Sequence, residues 1–301
     1  MAHNQDIFKL LWPSITMISN SNPTLCFPGT GKSCFACCPP IRPAGYEHIQ
    51  YLNMVKRTLR ENTFDYHTKG KGVFPITGFS CWALGYLDKD FSLVGCLLHP
   101  GRNEGVDLRF RVDYGEKCER ESCPEARAFL ELGINERGFW LHLADGLDSF
   151  SYSSIKVNPL FKMIGWGADL LNLIAVYEKG KVLTRESFFK AYPFFSTLLS
   201  PWANAYLLRQ LVTEDNVHIL KTESFCARFE AFSARLAGQL KKASQPGPEA
   251  PYTHLLGLDT QFMDYLRLSV GISRIDREEA IRLKEFVDRA VQEFKVQHGP
   301  A

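Results

Sequence analysis

Eight of the nine cysteines of this 301-residue chain lie within its first 123 residues. They are Cys26, Cys34, Cys37, Cys38, Cys81, Cys96, Cys118 and Cys123, and only Cys226 follows. The apolar run Ile7 to Ile18 is broken by Lys9 and Pro13 and reads as folded structure rather than an export signal, so the expected setting is cytoplasmic. Thiols stay reduced there and cannot form a disulfide framework, which leaves metal ligation as the leading use for so many of them. The densest element is Cys34-Phe-Ala-Cys37-Cys38-Pro39-Pro40. Two cysteines separated by two residues can turn both sulfurs onto one ion, as in zinc knuckles and iron–sulfur loops. The adjacent Cys38 points elsewhere, towards a second metal, another corner of a cluster, or a supporting role. Cys81-x14-Cys96 and Cys118-x4-Cys123-Pro124 supply four further thiols, enough to complete a four-ligand site with ligands to spare. Glycines at 29, 31, 78, 95, 101, 105 and 115 allow tight turns around them, and nearby cations such as Lys32, Arg102, Arg109 and Arg111 could offset thiolate charge.

Hydrophobic residues make up 45% of the chain and charged residues 23%, so a packed core is expected. A net charge of +2 offers no basic field for nucleic acid, and no nucleic-acid partner is expected. The most apolar later stretch, Val157 to Val176, carries Lys162 and Asp169, so no membrane span is expected. Ile49, Leu52, Val55 and Leu59 predict an amphipathic helix over roughly Gly45 to Asn62. Leu108, Phe110, Val112 and Tyr114 alternate with Arg109, Arg111 and Asp113, which predicts a half-buried strand. The second half turns to helical periodicity. Ser200-Pro201 reads as an N-cap and first turn for a helix lined by Trp202, Ala205, Leu208 and Leu211. Phe225, Phe229, Phe232, Leu236 and Leu240 form a second stripe, and Asp276 with Glu279 starts a last helix through Leu283, Val287, Ala290 and Phe294. Ser244 to Pro251 reads as an exposed connector. The expected fold is α+β: a loop-rich cysteine-cluster metal-binding region over 1–150, followed by a mainly α-helical domain over 151–301.

The order C-x-x-C-C, then Cys81 followed by Leu84, then Cys96 with Leu98-His99-Pro100-Gly101-Arg102, then Cys118 and Cys123, resembles the YkgJ-type cysteine-cluster family of zinc- or iron-chelating proteins. The resemblance covers about Cys26 to Pro124 and implies Cys34, Cys37, Cys38, Cys81, Cys96, Cys118 and Cys123 as metal ligands. Cys26 stands beside that pattern as an eighth candidate, open between ligand, neighbour of the site and incidental thiol.

Several residues have plainer readings. Cys226 lies on the aromatic helical stripe and reads as a structural thiol. His99 has C-x-x-H spacing from Cys96, which fits a ligand, but it precedes Pro-Gly, a setting in which a histidine more often makes turn hydrogen bonds. Pro28-Gly-Thr-Gly-Lys-Ser33 imitates a phosphate loop, yet Cys26 stands where that pattern requires glycine. Zinc would accept the thiolates in a structural role; an iron–sulfur cluster, slightly preferred because proline follows Cys38 and Cys123, would also allow electron transfer. The functional expectation is therefore a metal-binding protein, with a protein partner possible through the helical domain. The alternatives are a metal-dependent enzyme modifying a protein or small molecule, and a thiol redox protein using Cys37 with Cys38 or with Cys34.

Overall fold

The computed structural model describes residues 23–29, 31–38, 48–68, 72–76, 81–100, 102–113, 123–244 and 250–298. These residues are mostly helical and contain one two-stranded sheet. The chain divides into two compact units, Met1–Phe161 and Lys162–Ala301, where the sequence reading puts the division after residue 150. The run Ile7 to Ile18 and Cys118 lie outside the described residues.

In the first unit, a 3-10 turn at His48–Tyr51 leads into helix α1 (Leu52–Thr68). The expected helix is thus present from residue 48 and runs on to Thr68; residues 45–47 are outside the described set. Val55, Leu59 and Thr63, spaced four apart, form its buried face, which packs on strand β1 (Leu84–Tyr86). Strand β2 (Val94–Cys96) pairs with β1 antiparallel, with Leu84 opposite Cys96 and Gly85 opposite Gly95. Glycine is required at this central pair by crowding. A Cβ on Gly85 would stand 2.6 Å from Thr63 Oγ1, and one on Gly95 would stand 2.8 Å from Leu87 Cδ1 and 2.9 Å from Ser33 Oγ.

The strand expected over Leu108 to Tyr114 is not formed by its described residues. Arg109–Arg111 is a 3-10 turn, leaving Phe110 58% exposed while Arg111 is buried. The reason is local. The Asp107 carboxylate accepts from the Arg109 backbone N–H at 3.0 Å and from its guanidinium Nε at 2.9 Å, closing a turn that competes with extension. Only Val112 forms a bridge, parallel to Phe74. Helices α2 (Pro124–Leu130), α3 (Ile134–Leu141) and α4 (Ser149–Tyr152) follow, and α5 (Pro159–Ile164) runs across the division.

The second unit contains α6 (Ala168–Tyr177), α7 (Arg185–Ala191), α8 (Pro201–Leu211), α9 (Glu223–Ala243), α10 (Thr260–Asp264), which continues as a π-helical turn over Tyr265–Val270, and α11 (Arg277–His298). Helix α8 packs on α10, the π turn and α11, and α9 packs on α11. The stripe Phe225, Phe229, Phe232, Leu236 and Leu240 is buried as its spacing predicts. Pro201 does begin α8, but the Ser200 hydroxyl makes no capping bond; its carbonyl instead accepts from Asn204 Nδ2 at 3.0 Å. Ala203 to Leu208 are all buried, so α8 is enclosed on more than one face. On α11 the buried stripe is Ala280, Leu283, Val287, Val291 and Phe294, with Val291 taking the place expected of Ala290. Residues 245–249 of the expected connector lie outside the described set, and Ala250 is buried. Among the described residues no helix is long and apolar enough to cross a membrane.

Candidate metal centre

The candidate thiols arrive on separate segments, each tied down by its own hydrogen bonds. In the loop over 23–38, the Cys34 N–H donates to the Cys26 carbonyl at 2.9 Å, which fixes these two residues side by side. The chain then turns: the Cys38 N–H donates to the Phe35 carbonyl at 3.0 Å, placing Ala36 and Cys37 at the corner. The Ala36 N–H donates to Cys34 Sγ at 3.5 Å. Contacts with distant residues hold this loop. Tyr152 OH donates to the Leu25 carbonyl at 2.9 Å, and Lys32 Nζ to the Ala144 carbonyl at 2.6 Å. The Phe35 N–H donates to Ser153 Oγ at 2.9 Å, and the Ser33 hydroxyl donates to the Val94 carbonyl. Lys32 is only 6% exposed; burial lowers its pKa, against the opposing pull of Asp145.

Cys81 and Cys96 are placed by the small sheet. Leu84, which pairs with Cys96, donates its N–H to the Cys81 carbonyl at 3.0 Å. Asn62 of α1 donates to the same carbonyl at 3.0 Å and to that of Leu84 at 2.9 Å. Cys81 belongs to the apolar cluster that contains Phe35, Leu59, Leu84 and Val94, and Cys38 and Cys96 pack against that cluster. Cys123 is the N-cap of α2, where its Sγ accepts from the Ala126 N–H at 3.3 Å and Pro124 opens the first turn.

Burial and one another's charge both act on the ionisation of these thiols. Burial pushes the Cys26 thiol up to about 12, the charge of Cys37 adds to this, and Arg109 opposes it. Burial likewise raises Cys34 well above the ordinary value, with Cys26, Cys37 and Cys123 adding to it. Cys123 is raised by burial, then by Cys37, and to a lesser extent by Glu125 and Cys26. Cys38 is raised first by its hydrogen bond with Cys37, then by burial and by the charges of Cys37, Cys96 and Cys81. The described thiols therefore fall into two overlapping sets. Cys26, Cys34, Cys37 and Cys123 form one, and Cys37, Cys38, Cys81 and Cys96 form the other.

Thiols in such surroundings hold their protons, because each thiolate would face its neighbours' charge in a poorly solvated place. A bound divalent cation inverts that balance, since its charge favours every thiolate at once. An all-thiol donor set is soft and suits zinc or an iron–sulfur cluster. Among the described residues, no three His, Cys, Asp or Glu side chains close on a common point as a metal shell does. The sulfurs are within each other's electrostatic reach, and Cys118 is outside the described set.

His99 stacks on Phe27 with ring centroids 4.5 Å apart, and burial, then Arg109, push its pKa down to about 4 against the pull of Asp107. Its ring is therefore neutral at pH 7. Cys226 is 8% exposed on α9 in the other unit, the placement of a packing thiol. Sequence reasoning missed the residues that position the cysteines, namely Asn62, Thr63, Tyr152 and Ser153. The run Ser149-Phe-Ser-Tyr-Ser-Ser154, unusually rich in hydroxyls, was the available signal. No family model, no curated protein and no solved structure matches the chain.

Proposed function

We propose that the first unit binds metal through the thiols of Cys34, Cys37, Cys38, Cys81, Cys96 and Cys123, with Cys26 as a further ligand and Cys118 as a candidate outside the described residues. The observation that carries this reading is that thiols from separate segments stand close enough to raise one another's pKa. Neighbouring, poorly solvated thiols, free of disulfides among the described residues, are costly to ionise alone and favourable to ionise around a cation. An iron–sulfur cluster or zinc fits the donor set, with a slight preference for iron–sulfur from the proline after Cys38 and after Cys123. The metal supplies folding free energy to a unit whose sheet has only two short strands; if it is a cluster, it also supplies a redox couple. The resemblance to the YkgJ-type family and a reducing, cytoplasmic setting agree with this reading.

The thiol redox alternative is disfavoured on physical grounds. A redox-active cysteine needs a depressed pKa, whereas Cys34 and Cys38, the two candidate partners of Cys37, are both raised.

The test is elemental analysis of the full chain purified aerobically and anaerobically, beside its visible spectrum. Iron with acid-labile sulfide and broad visible absorption means a cluster; colourless protein with stoichiometric zinc means a zinc site. Cys34→Ser with Cys37→Ser should strip the metal and lower the melting temperature. Metal-free wild-type protein from both preparations, or full metal retention in the double variant, would overturn the assignment.

A further inference from the structure

We propose that the last turn of α6 and the loop that follows it are a docking surface for an acidic protein segment that carries an aromatic or other apolar side chain. The proposal concerns the second unit and does not rest on the metal-centre reading.

Helix α6 is apolar on both sides. Ala168, Leu170, Leu171, Ile174 and Ala175 form its buried face. A helix that packs one face on a core ordinarily carries polar residues on the other. The outward stripe of α6 runs through Asp169, Asn172, Leu173, Val176 and Tyr177, so its polar character ends at Asn172. Val176 is 59% and Tyr177 44% exposed. The chain then reverses at Gly180, whose φ of +84 lies in the left-handed region. Lys181 ties the returning strand of chain to the helix end twice: its N–H donates to the Glu178 carbonyl at 2.9 Å, and its Nζ lies 2.9 Å from Glu178 Oε2. Val182, the next residue, is thereby kept beside the helix end, and it is 76% exposed. Apolar side chains scattered singly over a surface call for no explanation, but three around one helix end form a patch.

The patch is rigid and ringed by cations. Lys221 closes the 3-10 segment Glu214–Lys221, and its Nζ lies 2.5 Å from Glu178 Oε1 and 4.9 Å from the ring centres of both Tyr177 and Tyr192. The exposed Tyr177 ring is therefore held in place before any partner arrives, which lowers the ordering cost of using it as an anchor. Lys181 and Lys221 share the one carboxylate of Glu178, and Lys179 is exposed and makes no ion pair among the described residues. The carbonyl end of α6 adds about half a negative charge, so three ammonium groups face roughly one and a half negative charges. An apolar centre with a charged rim is the anatomy of a protein interface, and the sign of this rim selects an acidic partner. A nucleic-acid backbone would match the lysines but bring nothing apolar for Val176 and Val182; a peptide with carboxylates around an aromatic side chain matches both.

The experiment titrates the full chain with a fluorescent random copolymer of glutamate and tyrosine, beside polyglutamate and a lysine–tyrosine copolymer, and reads anisotropy. The glutamate–tyrosine copolymer should bind more tightly than polyglutamate, the lysine–tyrosine copolymer should not bind, and raising the salt to about 0.5 M should weaken the complex. Val176→Ser with Val182→Ser should weaken the copolymer at least about tenfold and leave polyglutamate unchanged. Lys179→Glu should weaken both acidic polymers. All of these side chains are at the surface, so the variants should melt as wild type does. No binding of the glutamate–tyrosine copolymer, equal binding of polyglutamate or of the lysine–tyrosine copolymer, or indifference to the valine variants would overturn the proposal. So would sedimentation showing that the chain self-associates through these valines, or binding to phosphatidylserine vesicles in place of the copolymer.

Discussion

Glu178 is nearly fully buried in the second unit, and its carboxylate has three partners there. Lys221 Nζ lies 2.5 Å and Tyr192 OH 2.7 Å from Oε1, and Lys181 Nζ lies 2.9 Å from Oε2. Burial by itself would raise this carboxyl, but the hydrogen bonds from Lys221, Tyr192 and Lys181 outweigh it and bring the pKa from 4.5 down to about 2. At ~1.4 kcal/mol per pH unit, that difference corresponds to about 3 kcal/mol of stability. The sign follows from the depression: the contribution is fully present above pH 4.5 and disappears as the pH falls through about 2. Glu178→Gln keeps the size and still accepts from Tyr192, but cannot carry the charge. Both lysines reach water, with 29% and 60% of their side-chain surface exposed, so most of the loss comes from the carboxylate and not from stranded cations. Urea unfolding of the variant at pH 7 should show a loss of about 3 kcal/mol, or roughly 10 °C in melting temperature. The gap between wild type and variant should close as the pH is lowered from 5 to 2. A gap below about 1 kcal/mol at pH 7, the level of an exposed ion pair, would refute the argument. So would a gap that stays constant across that pH range.

Four further outcomes follow from the first unit and the packing thiol. Gly95→Ala changes no thiol, yet its Cβ would press on Ser33 Oγ and Leu87 Cδ1, so metal content should fall together with a stability loss of about 1–3 kcal/mol, measured by elemental analysis and urea melts. Thr63 donates to the Leu59 carbonyl at 2.7 Å and accepts from the Tyr86 N–H at 2.8 Å, so Thr63→Val strands a buried backbone donor and should cost about 1–3 kcal/mol by the same melts. His99 should show flat imidazole chemical shifts from pH 8 to 5 and begin to titrate only towards 4; because a lowered histidine pKa withdraws stability as pH falls below 6.5, the first unit should weaken over that same interval. Cys226→Ala should leave metal content unchanged, and loss of metal would put this thiol in the wrong place.

Legibility from sequence tracked the range of the forces involved. The stripe Phe225 to Leu240 was readable because burial of one helical face repeats every three or four residues, and nothing local competes with it. On α11 the same logic placed Leu283, Val287 and Phe294 but chose Ala290 over Val291, a neighbour on nearly the same face. The alternation from Leu108 to Asp113 misled because one short-range interaction outbid it, with Asp107 binding the Arg109 backbone and guanidinium. Strands β1 and β2 were invisible for the opposite reason. Each has only three residues with a central glycine, and they form because of what packs on them and not because of their own pattern.

The candidate site shows the same division between chemistry and placement. Thiols are rare, and their spacing in C-x-x-C-C is short, so candidate donor atoms could be named from the chain alone. Their supports are common residues far away in sequence: Tyr152 holds Leu25, Ser153 holds Phe35, and Lys32 reaches Ala144, none of which carries a metal-binding signature. The loop over 31–38 looked like a defective phosphate loop because it contains Gly31-Lys32-Ser33, and the structure gives those residues another task. Lys32 and Ser33 donate to the carbonyls of Ala144 and Val94, so they anchor the cysteine loop. A Lys32→Met substitution that preserved length but lost this anchor would therefore be expected to weaken metal retention. Equilibrium dialysis with zinc and with a nucleoside triphosphate separates the two readings, and nucleotide binding that depends on Lys32 would reverse the assignment of this loop.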